Sequence, residues 1–395
     1  MSAVLRGMLS WQLPAGMSTG AEWEVKMQSN SKNITRRRML AVSGAALGVV
    51  STFGFSASAL ASSAKSNVQN ILDALKDAPA AERTQFLRAE AAKEGKVVLY
   101  GSDAPNLLRA WGTAFKSAFP EIEAEFVRVS SRELLQRSVA ESKAGRPIAD
   151  VLHAPAVQLA ILQNMDLLAR YVSPEAASFS SDYLDPDGYW TAHWFAPCVV
   201  AYNSNRIEAG RVPVTLDNLA APELKGMLGR TSNGGRWVAG VLKALGDEQG
   251  GAVIKQLAEQ KPRLFDSNSA LMAALSSGQI AVGFDANLSD VKIAQATGAP
   301  IDYVVPDPLM VVPMYQFIMK DAPHPHAAAL LYDWILSKEG QAAYPELSQI
   351  GPRPDIAYPG AEVIEGAKNV ISLSAELLAD PVPFDRLFED LFIRA

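Results

Sequence analysis

From Gly95 onward, two hydrophobic patterns alternate along the chain. Short unbroken apolar runs, KVVLYG (96–101), ADVLH (149–153), CVVAYN (198–203) and GQIAVGFD (278–285), predict buried strands. IEAEFVR (122–128) alternates apolar and polar positions and predicts another strand. Between such runs the apolar residues fall three and four apart, as in Leu107, Leu108, Trp111, Phe115 and Phe119, the spacing of one helix face. Ser130 and Glu133 form a capping-box pattern at the start of ELLQRSVAESKAG, and a further helix is expected from near Pro155. After a Ser-, Pro-, Asp- and aromatic-rich interruption at 172–197, the alternation resumes through MLGRTSNGG, RWVAGVLKALG and the helix after ANLSD. Residues 301–320 read as two extended runs broken by Pro306 and Pro308, followed by helices after APHPH. Phe384, Leu387, Phe388, Leu391 and Phe392 share one face of a terminal docking helix. Strands alternating with helices imply βαβ units, and hence an α/β fold with a mostly parallel sheet covered on both faces.

The N-terminal region follows another rule. Residues 35–61 place three arginines before a short, glycine- and serine-diluted apolar run that ends in Ala59-Leu60-Ala61. A membrane-spanning helix needs about 20 apolar residues, more than this run supplies. A basic flank, a short apolar core and an A-x-A site predict a cleaved export signal. Arg36 and Arg37 within TRRRML fit the twin-arginine pattern, which addresses chains exported already folded; the alternative is an ordinary secretory signal with a spare arginine. Residue 62 is Ser, so the cleavage point offers no cysteine for a lipid, and Met27 is a second candidate start. Residues 1–61 are therefore expected to be signal and extension, and 62–94 a helical lead-in. The mature chain is expected outside the cytoplasm.

Removing 1–61 leaves 30 basic and 40 acidic residues, a net charge of −10. That balance argues against nucleic acid or an anionic membrane as partner. Cys198 is the single cysteine, so no intramolecular disulfide can form. Four histidines and one cysteine without close ligand spacing predict no zinc site, and no metal or cofactor is expected. Beyond the expected signal and extension no G-x-S-x-G elbow or phosphate loop with lysine occurs, and Cys198 lies inside an apolar run, a poor setting for a thiolate. No catalytic residue is assigned.

In open α/β sheets ligands sit at the carboxyl ends of strands, against helix N-termini. Small polar residues recur there: Ser102 and Asp103, Ser130 and Ser131, His153, then Ser232, Asn233, Gly234 and Gly235, then Asp285 and Asn287. Each reads either as a helix cap or as part of a polar ring around a ligand; the recurrence after five strands favours the ring. Trp190, His193, Trp194 and Phe195 are open to either ligand stacking or core packing, as are Tyr315 and Gln316 on the expected return strand. Trp190, His193 and Tyr315 join the candidate ligand residues. Tyr202 is expected to pack, and His324 and His326 to serve turns and a helix start. Asp103 and Asp285 form a carboxylate pair only if the fold brings them together.

The segments AAKEGKVVLYGS, AFKSAFPEIEAEFVRVSSRELLQR, AESKAGRPIADVLH, VVAYN, GQIAVGFD, GAPIDYVVP, KDAPHPHAAALLYDWILSKEGQ and GPRPD resemble, in order and spacing, those of bacterial periplasmic solute-binding proteins of ABC importers, nearest the iron(III)-binding-like branch. The resemblance runs from about residue 88 to the C-terminus. It implies a type II, two-lobe fold, each lobe a mostly parallel sheet flanked by helices, with the ligand cleft between. The expected boundaries are 95–190 for the first segment of lobe 1, 191–305 for lobe 2, and 306–395 for a return to lobe 1 with C-terminal docking helices. It further implies a periplasmic, monomeric receptor that delivers a solute to a membrane permease by hinge closure. The tyrosine pair that iron-binding members carry after the strand matching QIAVGF is replaced here by Asp285, Ala286, Asn287 and Leu288. Phe195-Ala196-Pro197-Cys198 lacks their anion-holding arginine. A small polar or anionic organic solute is therefore expected, with ferric iron as the alternative. An enzyme on the same scaffold, of the porphobilinogen-deaminase kind, would need Cys198, and a sensor docking on a membrane kinase is a third reading.

Overall fold

The computed structural model describes residues 67–75 and 80–394. The expected export signal, with Arg36, Arg37, Ala59 and Ala61, lies outside the described residues. The expected lead-in forms helices α1 (Asn67–Ala74) and α2 (Ala80–Glu94). Both are part of the packed body: Leu72, Leu87 and Ala91 are fully buried, and the guanidinium of buried Arg83 donates to Tyr171 Oη at 2.6 Å.

Then follow β1 (Lys96–Gly101), α3 (Pro105–Ala118), β2 (Glu123–Arg128), α4 (Ser131–Lys143), β3 (Val151–Pro155), α5 (Ala156–Asn164), β4 (Leu168–Ala169) and the long β5 (Thr191–Asn203). Continuing are α6 (Leu216–Leu219), β6 (Leu228–Thr231), α7 (Gly235–Glu259), β7 (Arg263–Phe265), α8 (Asn268–Ser276), β8 (Val282–Asn287), α9 (Leu288–Ala296), β9 (Ile301–Val304) and β10 (Leu309–Met319). The chain ends with α10 (Pro325–Leu336), α11 (Lys338–Gln341), α12 (Ala361–Glu365), β11 (Val370–Ser372) and α13 (Val382–Phe388). The helical stripe read from the sequence is realised in α3, whose Leu107, Leu108, Trp111 and Phe115 are buried. Each such side chain contributes about 1.5–3 kcal/mol relative to exposure.

The strands form one mixed sheet of 11, in the order β2-β1-β3-β10-β5-β8-β6-β7, with β4 and β11 added at β10 and β9 at β5. Two parallel blocks flank its centre: β1 pairs parallel with β2 and β3, and β6 pairs parallel with β7 and β8. Between the blocks run β5 and β10, antiparallel to each other and buried at every position. The parallel expectation thus holds within each block and gives way at the centre, where β3, β10, β5 and β8 join through antiparallel pairs. An antiparallel neighbour lets a strand return directly without a helical crossover. Two register shifts interrupt the central ladders, at Met314/Tyr315 in β10 and at Val199/Ala201 in β5.

Candidate functional site

The strand ends of the two parallel blocks carry two buried polar clusters. The first is built from β1, β3 and β5. Gly101 and His153 pair in register. Just past β1, Asp103 folds back under the strand, where a Cβ on Gly101 would lie 2.6 Å from its Oδ2. Asp103 Oδ2 meets His153 Nδ1 at 3.1 Å, and Oδ1 accepts from Trp194 Nε1 at 2.7 Å. His193, on the same strand as Trp194, places Nε2 4.0 Å from Asp103 Oδ1 and meets Tyr344 Oη through Nδ1 at 3.0 Å. The two imidazoles lie 4.1 Å apart, centre to centre, and Trp111 packs edge-on to His153. The side chains of Asp103, His153 and His193 are fully buried. The Nε2 atoms of both histidines are buried without a hydrogen-bond partner.

Burial opposes ionisation of Asp103, but the His153 charge and hydrogen bond, then His193 and Trp194, hold its carboxyl below the usual range. Burial, then the neighbouring His153 charge, pushes His193 well below the ordinary imidazole value. Behind the cluster, Gln341 Nε2 donates to His193 O at 3.3 Å and Trp111 Nε1 to Gly340 O at 3.0 Å, so the segment at α11 seals it from the far side.

The second cluster lies at the ends of β6 and β8. Asp285 has φ +59° inside β8, a left-handed conformation costly for a side-chain-bearing residue. It coincides with the β5–β8 register shift, as expected of a bulge, which re-aims a side chain. Asp285 Oδ2 meets Arg230 Nη2 at 3.0 Å and Arg236 Nη2 at 3.7 Å. The Arg230 guanidinium lies over the rings of Trp237, Phe388 and Phe284, at 4.7, 4.9 and 5.3 Å. Burial draws the Arg230 pKa down to about 10 against the opposing pull of Asp285. Arg230 Nη1, Arg236 Nε and Asp285 Oδ1 are buried without partners. Cys198 borders this cluster; burial and then Asp285 push its thiol well above the ordinary value, so it is no activated nucleophile. The cavity between Cys198, Trp237, Phe284 and Asp285 holds about 20 Å³, the scale of a water molecule rather than a solute.

The loop Ser232–Asn233–Gly234–Gly235 does lead into the N-terminus of α7, as the sequence suggests. It is not open. A Cβ on Gly234 would overlap the Phe388 ring, and one on Gly235 the Asp385 carboxylate. The docking helix read from the C-terminal sequence is thus α13, and it caps this helix start.

The remaining candidates divide. His153, His193 and Asp103 meet in one cluster and Asp285 in the other, so Asp103 and Asp285 have separate partners and form no carboxylate pair. Ser130 Oγ accepts from Glu133 N at 3.2 Å and caps α4, while Glu133 turns to Arg137, so only half of the capping box forms. Ser131 opens α4 and Ser102 follows β1, both partly exposed at strand ends. Asn287 precedes α9, with a buried Oδ1 lacking a partner. Trp190 packs edge-on against Tyr315 at 4.7 Å, and Tyr315 Oη accepts from Ala375 N, which gives this pair a packing role. Tyr202 is buried, and His324 and His326 stand at the start of α10 bonded to Asp150 and Glu94, as expected. Sequence reasoning missed Arg230, Arg236, Tyr344 and Asp385. An arginine in the strand LGRT was a usable signal, since arginine is almost never fully buried without a partner.

Residues 181–346 match a model of the family described as bacterial extracellular solute-binding protein. The Fe(3+)-binding periplasmic protein of Serratia marcescens is 26% identical over 202 residues, which is 50% of this chain and 58% of that protein's length. Among solved structures, AfuA from Actinobacillus pleuropneumoniae, a periplasmic binding protein with exogenous fructose-6-phosphate bound, superposes with a TM-score of 0.67 at 21% identity, covering 76% of this chain and 99% of that one. Iron-bound HitA from Pseudomonas aeruginosa gives 0.64 at 20% identity, covering 75% and 99%. These likenesses carry the two-lobe periplasmic-binding-protein fold.

Proposed function

We propose that this chain, which belongs to the bacterial extracellular solute-binding proteins, is the periplasmic receptor of an ABC importer and captures a small polar or anionic organic solute for a membrane permease. The observation that carries this reading is the placement of polar strand ends. Ser102, Ser130 and Ser131 end one parallel block, and Thr231, Ser232 and Asn287 the other, with only β5 and β10 crossing between. We read residues 95–190 with the return segment 306–395 as one lobe and 191–305 as the other, closing about the crossing strands. Arg230 and Arg236 outnumber Asp285 in the second cluster, and the positive potential they leave favours a carboxylate or phosphate group on the solute. Two of the three relatives named above, the Serratia protein and HitA, are iron proteins by name, which favours a second reading in which ferric ion is the cargo.

Binding only the folded form raises its melting temperature, by about 2.7 kcal/mol of added stability at a hundredfold excess over Kd. Thermal shift against sugar phosphates, organic acids, amino acids and ferric citrate, with calorimetry on each hit, tests the reading. A stoichiometric organic ligand supports it, ferric binding alone replaces it with the second reading, and no ligand in any class overturns it.

A further inference from the structure

We propose that Asp103, His153 and His193 form a site for one resident first-row divalent cation, distinct from any transported solute. One donor atom from each residue lies within 4.8 Å of the others. Metal bonds of about 2.0–2.2 Å span up to about 4.3 Å between donors, so small side-chain shifts close the three onto one ion. The pairing of the ring nitrogens fits that role. His153 meets the Asp103 carboxylate through Nδ1 at 3.1 Å, a separation that two donors sharing one ion also show, while His193 meets Tyr344 Oη through Nδ1 and leaves its Nε2 unpartnered toward Asp103. His193 is held as metal-bound imidazoles are, its second nitrogen fixed by a polar group. Without an ion or water, a buried nitrogen on each ring stands unsatisfied, a costly arrangement. Trp194 Nε1, bonded to Asp103 Oδ1, steadies the carboxylate, and that oxygen keeps a lone pair toward His193.

Two imidazoles and one carboxylate suit Zn(II), Mn(II), Fe(II) or Co(II), whereas ferric ion favours anionic oxygen donors. Burial separates this site from a cargo site, because its three donor side chains have no solvent exposure. An ion held there enters as the chain folds. The twin-arginine pattern at Arg36 and Arg37 agrees, since that route carries chains that have already folded around what they hold.

The test uses the full chain, unfolded in chelator and refolded with Zn(II), Mn(II) or Co(II) as sole metal. Elemental analysis is expected to give one ion per chain, and the Co(II) form visible bands with X-ray absorption showing two imidazole nitrogens. His153→Gln and His193→Gln should each reduce retained metal more than tenfold while circular dichroism stays native. If these variants fail to fold, the absorption data on the unaltered chain decide alone. Refolded chain without metal, or metal bound without imidazole, overturns the proposal; an internal water is then the partner of the two Nε2 atoms. Solute binding is measured separately, so failure here leaves the receptor reading standing.

Discussion

At the scale of single residues, the structure turns on polar groups that burial makes expensive. Asp285 is the sharpest case, being left-handed in φ and the counter-charge of a fully buried arginine. Asp285→Ala is expected to cost about 3–5 kcal/mol in denaturant unfolding, because Arg230 is then buried without compensation. Asp285→Asn should cost less, since asparagine tolerates the left-handed region and keeps the shape. A loss under about 1 kcal/mol for the alanine variant would show that Arg230 escapes to water instead. His324 provides a pH-dependent counterpart. Its N–H donates to Asp150 Oδ1 at 2.7 Å, and its Nδ1 meets Oδ2 at 3.0 Å. The Asp150 hydrogen bond raises the imidazole above its ordinary 6.5, with Glu94 assisting and burial and Lys96 opposing. Burial raises the Asp150 carboxyl as well, at lower pH. A raised histidine stabilises the fold fully below the unfolded value and loses that contribution as pH climbs through the folded one. The melting-temperature gap between the native chain and His324→Gln should therefore be wider near about pH 6 than near about pH 8.5, and an equal gap would refute the ion pair.

Among elements, α13 has the most direct bearing on the site. Its Phe388 covers Gly234 and the Arg230 face, and Asp385 lies against Gly235 at the start of α7; burial and then Glu389 hold that carboxyl above its usual range. A chain ending at Pro381 is expected to be less stable, yet to bind inorganic phosphate roughly tenfold more tightly, about 1.4 kcal/mol, as a built-in acidic group leaves a helix N-terminus. Calorimetry on both forms checks this, and equal affinities would make α13 a purely structural cap. The element was legible in the sequence because Phe384, Leu387, Phe388, Leu391 and Phe392 share a face. Its berth was not, because a helix face names no partner. In the same way, helix α3 and the strand runs were legible from local periodicity, whereas the meeting of Asp103, His153, His193 and Tyr344 depends on strand order over more than 200 residues of chain, which no local pattern encodes.

For the molecule as a whole, the sequence pattern and the structural likenesses agree on an α/β binding-protein fold. The antiparallel centre escaped the periodicity argument, because a strand buried on both faces reads the same in either direction. That centre also limits how the fold can move. Closure of the two lobes must bend a single hydrogen-bonded surface at its two crossing strands, and a ladder yields most readily where its rungs are already out of step. The offsets at Met314/Tyr315 and Val199/Ala201 are such places. Both lie on the crossing strands, one near Trp194 and the other near Cys198, so any bending of the sheet would be felt first at the two buried polar clusters.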